Sequence, residues 1–135
     1  MRLLIDGNII LDVLQNREPH VKESAIIWKL CETDQAEGYI SVLTFANLVY
    51  IMRKDLNAEA IEQVLRILML IFRFADLNES DLLEAAEARW DDYEDALQAV
   101  AAARIHADYL ITRNGKDFQD SDIPALSPAE FLGIC

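Results

Sequence analysis

The sequence predicts an α/β fold of three layers, α/β/α, with a short, mostly parallel central sheet. Apolar runs too short for helices recur along the chain and end on polar stops, the mark of strands covered on both faces. Stretches of helical periodicity separate them and are long enough to serve as crossovers. At 135 residues with 53% hydrophobic content, the chain has enough apolar material for one core and is read as a single domain over residues 1–135.

The first strand covers Leu3-Leu4-Ile5 and stops at Asp6. Asn8 to Leu14 follows as a short helix with Ile10, Val13 and Leu14 on one side. Pro19 breaks the chain, and a longer helix runs to about Asp34 on Ala25, Ile26, Ile27, Trp28 and Leu30. Gly38 to Ser41 is a second strand, and Leu43 to Arg53 a helix carrying Phe45, Leu48, Val49 and Met52. Asn57 is a good N-cap for a helix to about Phe72. Ile67, Leu70 and Ile71 lie off its main apolar stripe. A helix greasy on more than one side needs more than one cover, and a homodimer through residues 57–72 supplies it.

Phe74-Ala75-Asp76 is a third strand, and Asn78-x-x-Asp81 a capping box opening a helix through Trp90. Asp92 caps a helix from Tyr93 to about His106, whose alanines 96, 99 and 103 share a face that can approach the sheet closely. Tyr109 to Thr112 is the fourth strand, and Ser127-Pro128 opens a last short helix.

This alternation makes geometry out of spacing, because open parallel sheets bind ligands beyond the carboxyl ends of their strands. Asp6 ends the first strand, Asp117 sits in the loop leaving the fourth, and Asp95 lies in the first turn of an antiparallel crossover helix. All three are expected at one edge. Carboxylates gathered there repel unless a cation lies between them. Oxygen-only ligation suits Mg²⁺ or Mn²⁺, and no His or Cys cluster suggests zinc. Metal-assisted phosphodiester chemistry is the leading expectation. Each residue also has a plainer role: Asp6 as a turn former or helix cap, Asp92 as an N-cap, Glu94 as a solvated first-turn acid.

Composition limits the partners. The net charge of −12 rules out a broad basic surface for nucleic acid. Cys31 and Cys135 form no metal or redox motif and read as thiols of a reducing cytoplasm. His20 and His106 read as surface residues, and Trp28 as structural. Asp6 interrupts the apolar start, so no secretory signal is expected. The greasy stretch Val64 to Phe72 is far shorter than the ~20 residues of a membrane span.

Three motifs in order then resemble the PIN-domain family, which includes the VapC-type toxins of bacterial toxin–antitoxin pairs. Leu3-Leu4-Ile5-Asp6-Gly7-Asn8-Ile9-Ile10-Leu11-Asp12 is similar to the family's opening motif. Asp92-Tyr93-Glu94-Asp95-Ala96 is similar to the Asp-aromatic-Glu-Asp-Ala motif of one branch, and Tyr109-Leu110-Ile111-Thr112-Arg113-Asn114 with Lys116-Asp117-Phe118 to its closing motif. The resemblance implies an endoribonuclease for single-stranded RNA, an antitoxin partner, and Asp6, Asp95 and Asp117 as catalytic metal ligands. Asn8, Asn47, Asp92, Glu94, Thr112 and Asn114 would support them, with Arg113 and Lys116 against the RNA phosphate. Asn47 stands where the family pattern has Glu, and Asn114 where many relatives have Asp. Losing the carboxylate at 47 implies weaker metal binding, so the alternative is a weakened member that binds RNA or a protein without cutting. A phosphoacceptor signalling domain, the third reading, would need an Asp after the middle strand, and Asp76 fits that poorly.

Overall fold

The computed structural model describes residues 1–134, so Cys135 lies outside the described residues. Five strands form one parallel sheet in the order β3-β2-β1-β4-β5: β1 Arg2–Ile5, β2 Glu37–Ser41, β3 Arg73–Ala75, β4 Tyr109–Ile111 and β5 Ala125–Leu126. The sheet is parallel throughout rather than mostly so, and β5 was not foreseen. It is two residues long and pairs with β4 in the register Leu110 to Ala125 and Ile111 to Leu126. With Arg73–Ala75 at the far edge, Asp76 follows an edge strand and not the middle one.

Alternation along β1 divides the core. Leu3 and Ile5 face a large cluster containing residues of α1 (Gly7–Leu14), α2 (Val21–Glu32), α3 (Val42–Met52), α4 (Ala58–Ile71) and α7 (Pro128–Ile134). Leu4 faces the other side, where it meets alanines of α6 (Tyr93–Arg104), which in turn packs on α5 (Glu79–Ala88). Helices on both faces of one sheet complete the three layers. Gly38 lets α2 close on the sheet, since a Cβ there would lie 2.5 Å from Cys31 Sγ. Burial pushes the Cys31 thiol up to about 12, as befits an unreactive core group.

Local chemistry fixes most helix starts. Asp6, Ser41, Asn57, Asn78 and Asp92 each accept a hydrogen bond from the first turn of the helix they precede, and Asn78 with Asp81 makes the full capping box. Residues 96–102 of α6 are all buried, with Ala101 and Ala102 fully so. The expected stripe of alanines 96, 99 and 103 is therefore too narrow, because α5 and the sheet enclose the helix from several sides. On α4, Ile67 (50%), Met69 (56%) and Leu70 (87%) are exposed. Ile71 instead packs partly against the core, because the chain turns inward to enter β3. On α2, Ile26 also points outward while Ile27 and Cys31 are buried. No helix among the described residues is long and apolar enough to cross a membrane.

Candidate active site

The strand order reverses direction at β1, so a crevice opens between the carboxyl ends of β1 and β4. Asp6 stands at its floor. The Gly7 N–H donates to Asp6 Oδ1 at 2.8 Å, and the Thr112 hydroxyl donates to Oδ2 at 2.7 Å. The helix-cap role thus falls on the carboxylate also expected as a metal ligand. Thr112 is fully buried at the end of β4, and its Oγ1 also accepts the Asn114 N–H at 3.1 Å.

The N-terminus of α6 lies over this crevice. Asp92 caps it by accepting from the Asp95 N–H at 3.1 Å. Asp95 itself is half-buried, and its pKa is pushed up to about 6. Burial is the largest cause, followed by the negative charges of Asp92, Asp6, Asp117 and Glu94. Asp95 therefore feels the charges of Asp6 and Asp117 on top of the larger effect of burial.

Two adjoining clefts share Asp95. The first, of about 240 Å³, is lined by Asp6, Asn8, Thr44, Asn47, Glu94, Asp95 and Gln98 over an apolar wall of Leu11, Leu43, Leu48 and Ile51. The second, of about 340 Å³, is lined by Asp91, Asp92, Asp95, Asp117 and Asp120, with Trp90 and the cations Arg89 and Lys116. Asp117 is exposed on a 3-10 turn, Gly115–Phe118, whose Phe118 anchors it in the core against Trp90. Asn47 turns its amide towards Glu94, a long hydrogen bond of 3.4 Å across the first cleft. Asn8 Oδ1 is buried there without a hydrogen-bond partner.

The donors match a hard divalent cation in kind, being carboxylate and amide oxygens, and the field on Asp95 favours one in sign. Among the described residues, however, no three His, Cys, Asp or Glu side chains stand close enough to ligate one ion jointly. The carboxylates act on one another through space across two clefts.

Arg113 stands elsewhere. Its guanidinium is forked onto Asp12, Nε to Oδ2 at 3.0 Å and Nη2 to Oδ1 at 3.2 Å. Its remaining exposure faces a separate cleft with His20, Glu23 and Ser24. Of the two cations expected at an RNA phosphate, Lys116 lines the second acidic cleft, whereas Arg113 is paired with Asp12. Asn114 lines neither acidic cleft and meets the site through its backbone, its N–H on Thr112 Oγ1 and its carbonyl under the Asp117 N–H. Sequence reasoning passed over the buried chain Ser41–Thr44–Gln98, in which Ser41 Oγ and Gln98 Nε2 both donate to Thr44 Oγ1, at 3.1 and 2.8 Å. The legible signal was Gln98 inside an alanine-rich helix, one turn after Asp95. It passed over Asp12 as well, a lone acid among Ile9, Ile10, Leu11 and Val13 that has to find a partner.

The family's sequence model, described as PIN domain, matches residues 2–116. The chain belongs to the PIN-domain family. None of the curated proteins compared with it gives a match. Several solved structures share the fold. The FitAB complex bound to an IR36 DNA fragment matches with a TM-score of 0.74 and 20% identity, over 93% of this chain and 94% of that one. A toxin–antitoxin complex from Klebsiella pneumoniae has a TM-score of 0.71 and 22% identity, over 93% and 97%. VapBC-1 from nontypeable Haemophilus influenzae has 0.70 and 22%, over 96% and 99%. The acidic crevice of this PIN domain thus sits in a fold spanning almost the whole of each of those chains.

Proposed function

We propose that this PIN domain is a Mg²⁺- or Mn²⁺-dependent endoribonuclease for single-stranded RNA, and the toxin of a toxin–antitoxin pair in the cytoplasm. The observation that carries the reading is Asp95, pushed up to about 6 by burial and then by four other carboxylates at the carboxyl edge of a parallel sheet. That the similar structures include toxin–antitoxin complexes supports an antitoxin partner. Asp6 and Asp95, which line one cleft with Asn8 and Asn47, would hold the metal there, and Asp117 would act on it through Asp95 from the adjoining cleft. A divalent ion bound there supplies Lewis-acid activation of water and of the phosphate. Asp6 is held in orientation by Gly7 and Thr112, and Asp92 fixes the turn that presents Asp95. Asp95 can exchange a proton near neutral pH, and Lys116 supplies a cation to an RNA phosphate.

A fluorescent single-stranded RNA assayed across a Mn²⁺ series tests this, with Asp6→Asn as the blank for contaminating nuclease. Cleavage by the parent and none by the blank is the expected result; equal cleavage by both overturns the reading. Asn47 favours a second reading, a weakened member that binds RNA or a protein without cutting, because its amide donates to Glu94 where a carboxylate would add charge. Metal binding without cleavage at any Mn²⁺ concentration would select it. The exposed Ile67, Met69 and Leu70 on α4 support a homodimer through that helix.

A further inference from the structure

Among the described residues Asp12 is the only fully buried carboxylate. Its Oδ2 accepts from Ser24 Oγ on α2 at 3.0 Å and from Arg113 Nε, and its Oδ1 from Arg113 Nη2. Arg113 follows Thr112, the residue whose hydroxyl holds Asp6. Two consecutive residues of the β4 loop are therefore fastened to β1 and α1, one to Asp6 and the next to Asp12. From there the loop is set bond by bond, with the Asn114 N–H on Thr112 Oγ1 and the Asp117 N–H on the Asn114 carbonyl at 2.9 Å.

We propose that the Asp12–Arg113 pair is a positioning device that fixes the 113–117 loop so that Lys116 and Asp117 face Asp95. The role rests on the nuclease reading for its purpose, but not for its geometry. Well-packed apolar residues of the same volume commonly match a buried ion pair in stability. What the fork adds is orientation, since two parallel N–H···O bonds fix the plane of the guanidinium and hence the backbone that bears it. A lysine would bring a point charge without that plane.

The test compares the parent with Arg113→Lys and with the double variant Asp12→Leu/Arg113→Met, by thermal unfolding, amide hydrogen exchange over residues 114–118, and calorimetric Mn²⁺ titration. The double variant is expected to melt close to the parent while its loop amides exchange about tenfold faster and its Mn²⁺ Kd rises about tenfold, the scale at which groups supporting metal ligands act. Arg113→Lys should fall between the two on both readouts. If the double variant fails to fold, Arg113→Lys decides, because it keeps the charge and loses only the fork. Parent-like exchange and Mn²⁺ affinity in a folded variant overturn the proposal. If the parent itself binds no Mn²⁺, the nuclease reading fails, and the exchange measurement still decides the positioning role.

Discussion

Asp12 and Asp95 are both carboxylates on helices that abut the same crevice, and the fold treats them in opposite ways. Asp12 is wholly buried and given a forked guanidinium and a serine hydroxyl. Asp95 is half-buried and surrounded by Asp6, Asp92, Asp117 and Glu94. A chain that can bury a carboxylate with its counter-charge at one position, yet crowds acids together at another, keeps the second arrangement at a cost in stability. Pairing marks Asp12 as a structural acid, and crowding is what the proposed site would draw on at Asp95.

The largest effect that can break this comparison is at Asp12. Asp12→Ala leaves the Arg113 guanidinium without its partner and should cost about 3 kcal/mol, read by urea unfolding, as broken buried pairs do. A loss below about 1 kcal/mol would make Asp12 no more structural than a surface acid. Asp95→Asn should behave in the opposite sense, because it removes a charge that four neighbours oppose. Its melting temperature at pH 7 is expected at or above that of the parent, and a clear drop would mean that Asp95 is held by contacts rather than strained by charge.

A pH series sharpens the same point. Asp95 keeps its proton in the folded state up to about 6, against an ordinary value of 3.8. Between those values the folded state binds more protons than the unfolded one, so its contribution to stability is complete below about 4 and is lost as pH rises through 6. Taking the pH from 7 to 5 should therefore stabilise the parent relative to Asp95→Asn. A difference between the two that does not change with pH would contradict the crowding.

These two acids also show how far the sequence could be read. Asp95 and its neighbours were legible because their placement follows from local rules: a strand end, an N-cap at Asp92 and a first helical turn. The same local chemistry foretold the Asn57 cap and the Asn78–Asp81 box. Asp12 was not assigned, because its partner lies 101 residues away and no periodicity links them. For the same reason Arg113 read as a free cation. β5 escaped because two residues between Pro124 and Ser127 carry no pattern of their own, and the strand exists only by pairing with β4. Ile71 was expected outside the stripe, but the turn into β3 redirects it inward.

Smaller effects are expected at the periphery. Asn47→Glu should tighten Mn²⁺ binding, since a carboxylate holds a hard cation better than an amide does. Unchanged affinity would place residue 47 outside the site despite its contact with Glu94. Leu70→Glu, at the most exposed apolar position of α4, should change stability by less than about 0.5 kcal/mol. It should nonetheless shift light scattering at micromolar concentration from dimer towards monomer. A parent already monomeric there removes α4 as the interface.

The crowding around Asp95 has one direct test, a Mn²⁺ titration by calorimetry at pH 6 in two buffers of different ionisation heat. A metal drawn in by the crowded acids must displace the Asp95 proton, so binding should release about half a proton per ion at that pH. The same titration of Asp95→Asn should show weaker binding and no such release. Absence of Mn²⁺ binding to the parent, or binding of equal strength and proton count in Asp95→Asn, would contradict the account.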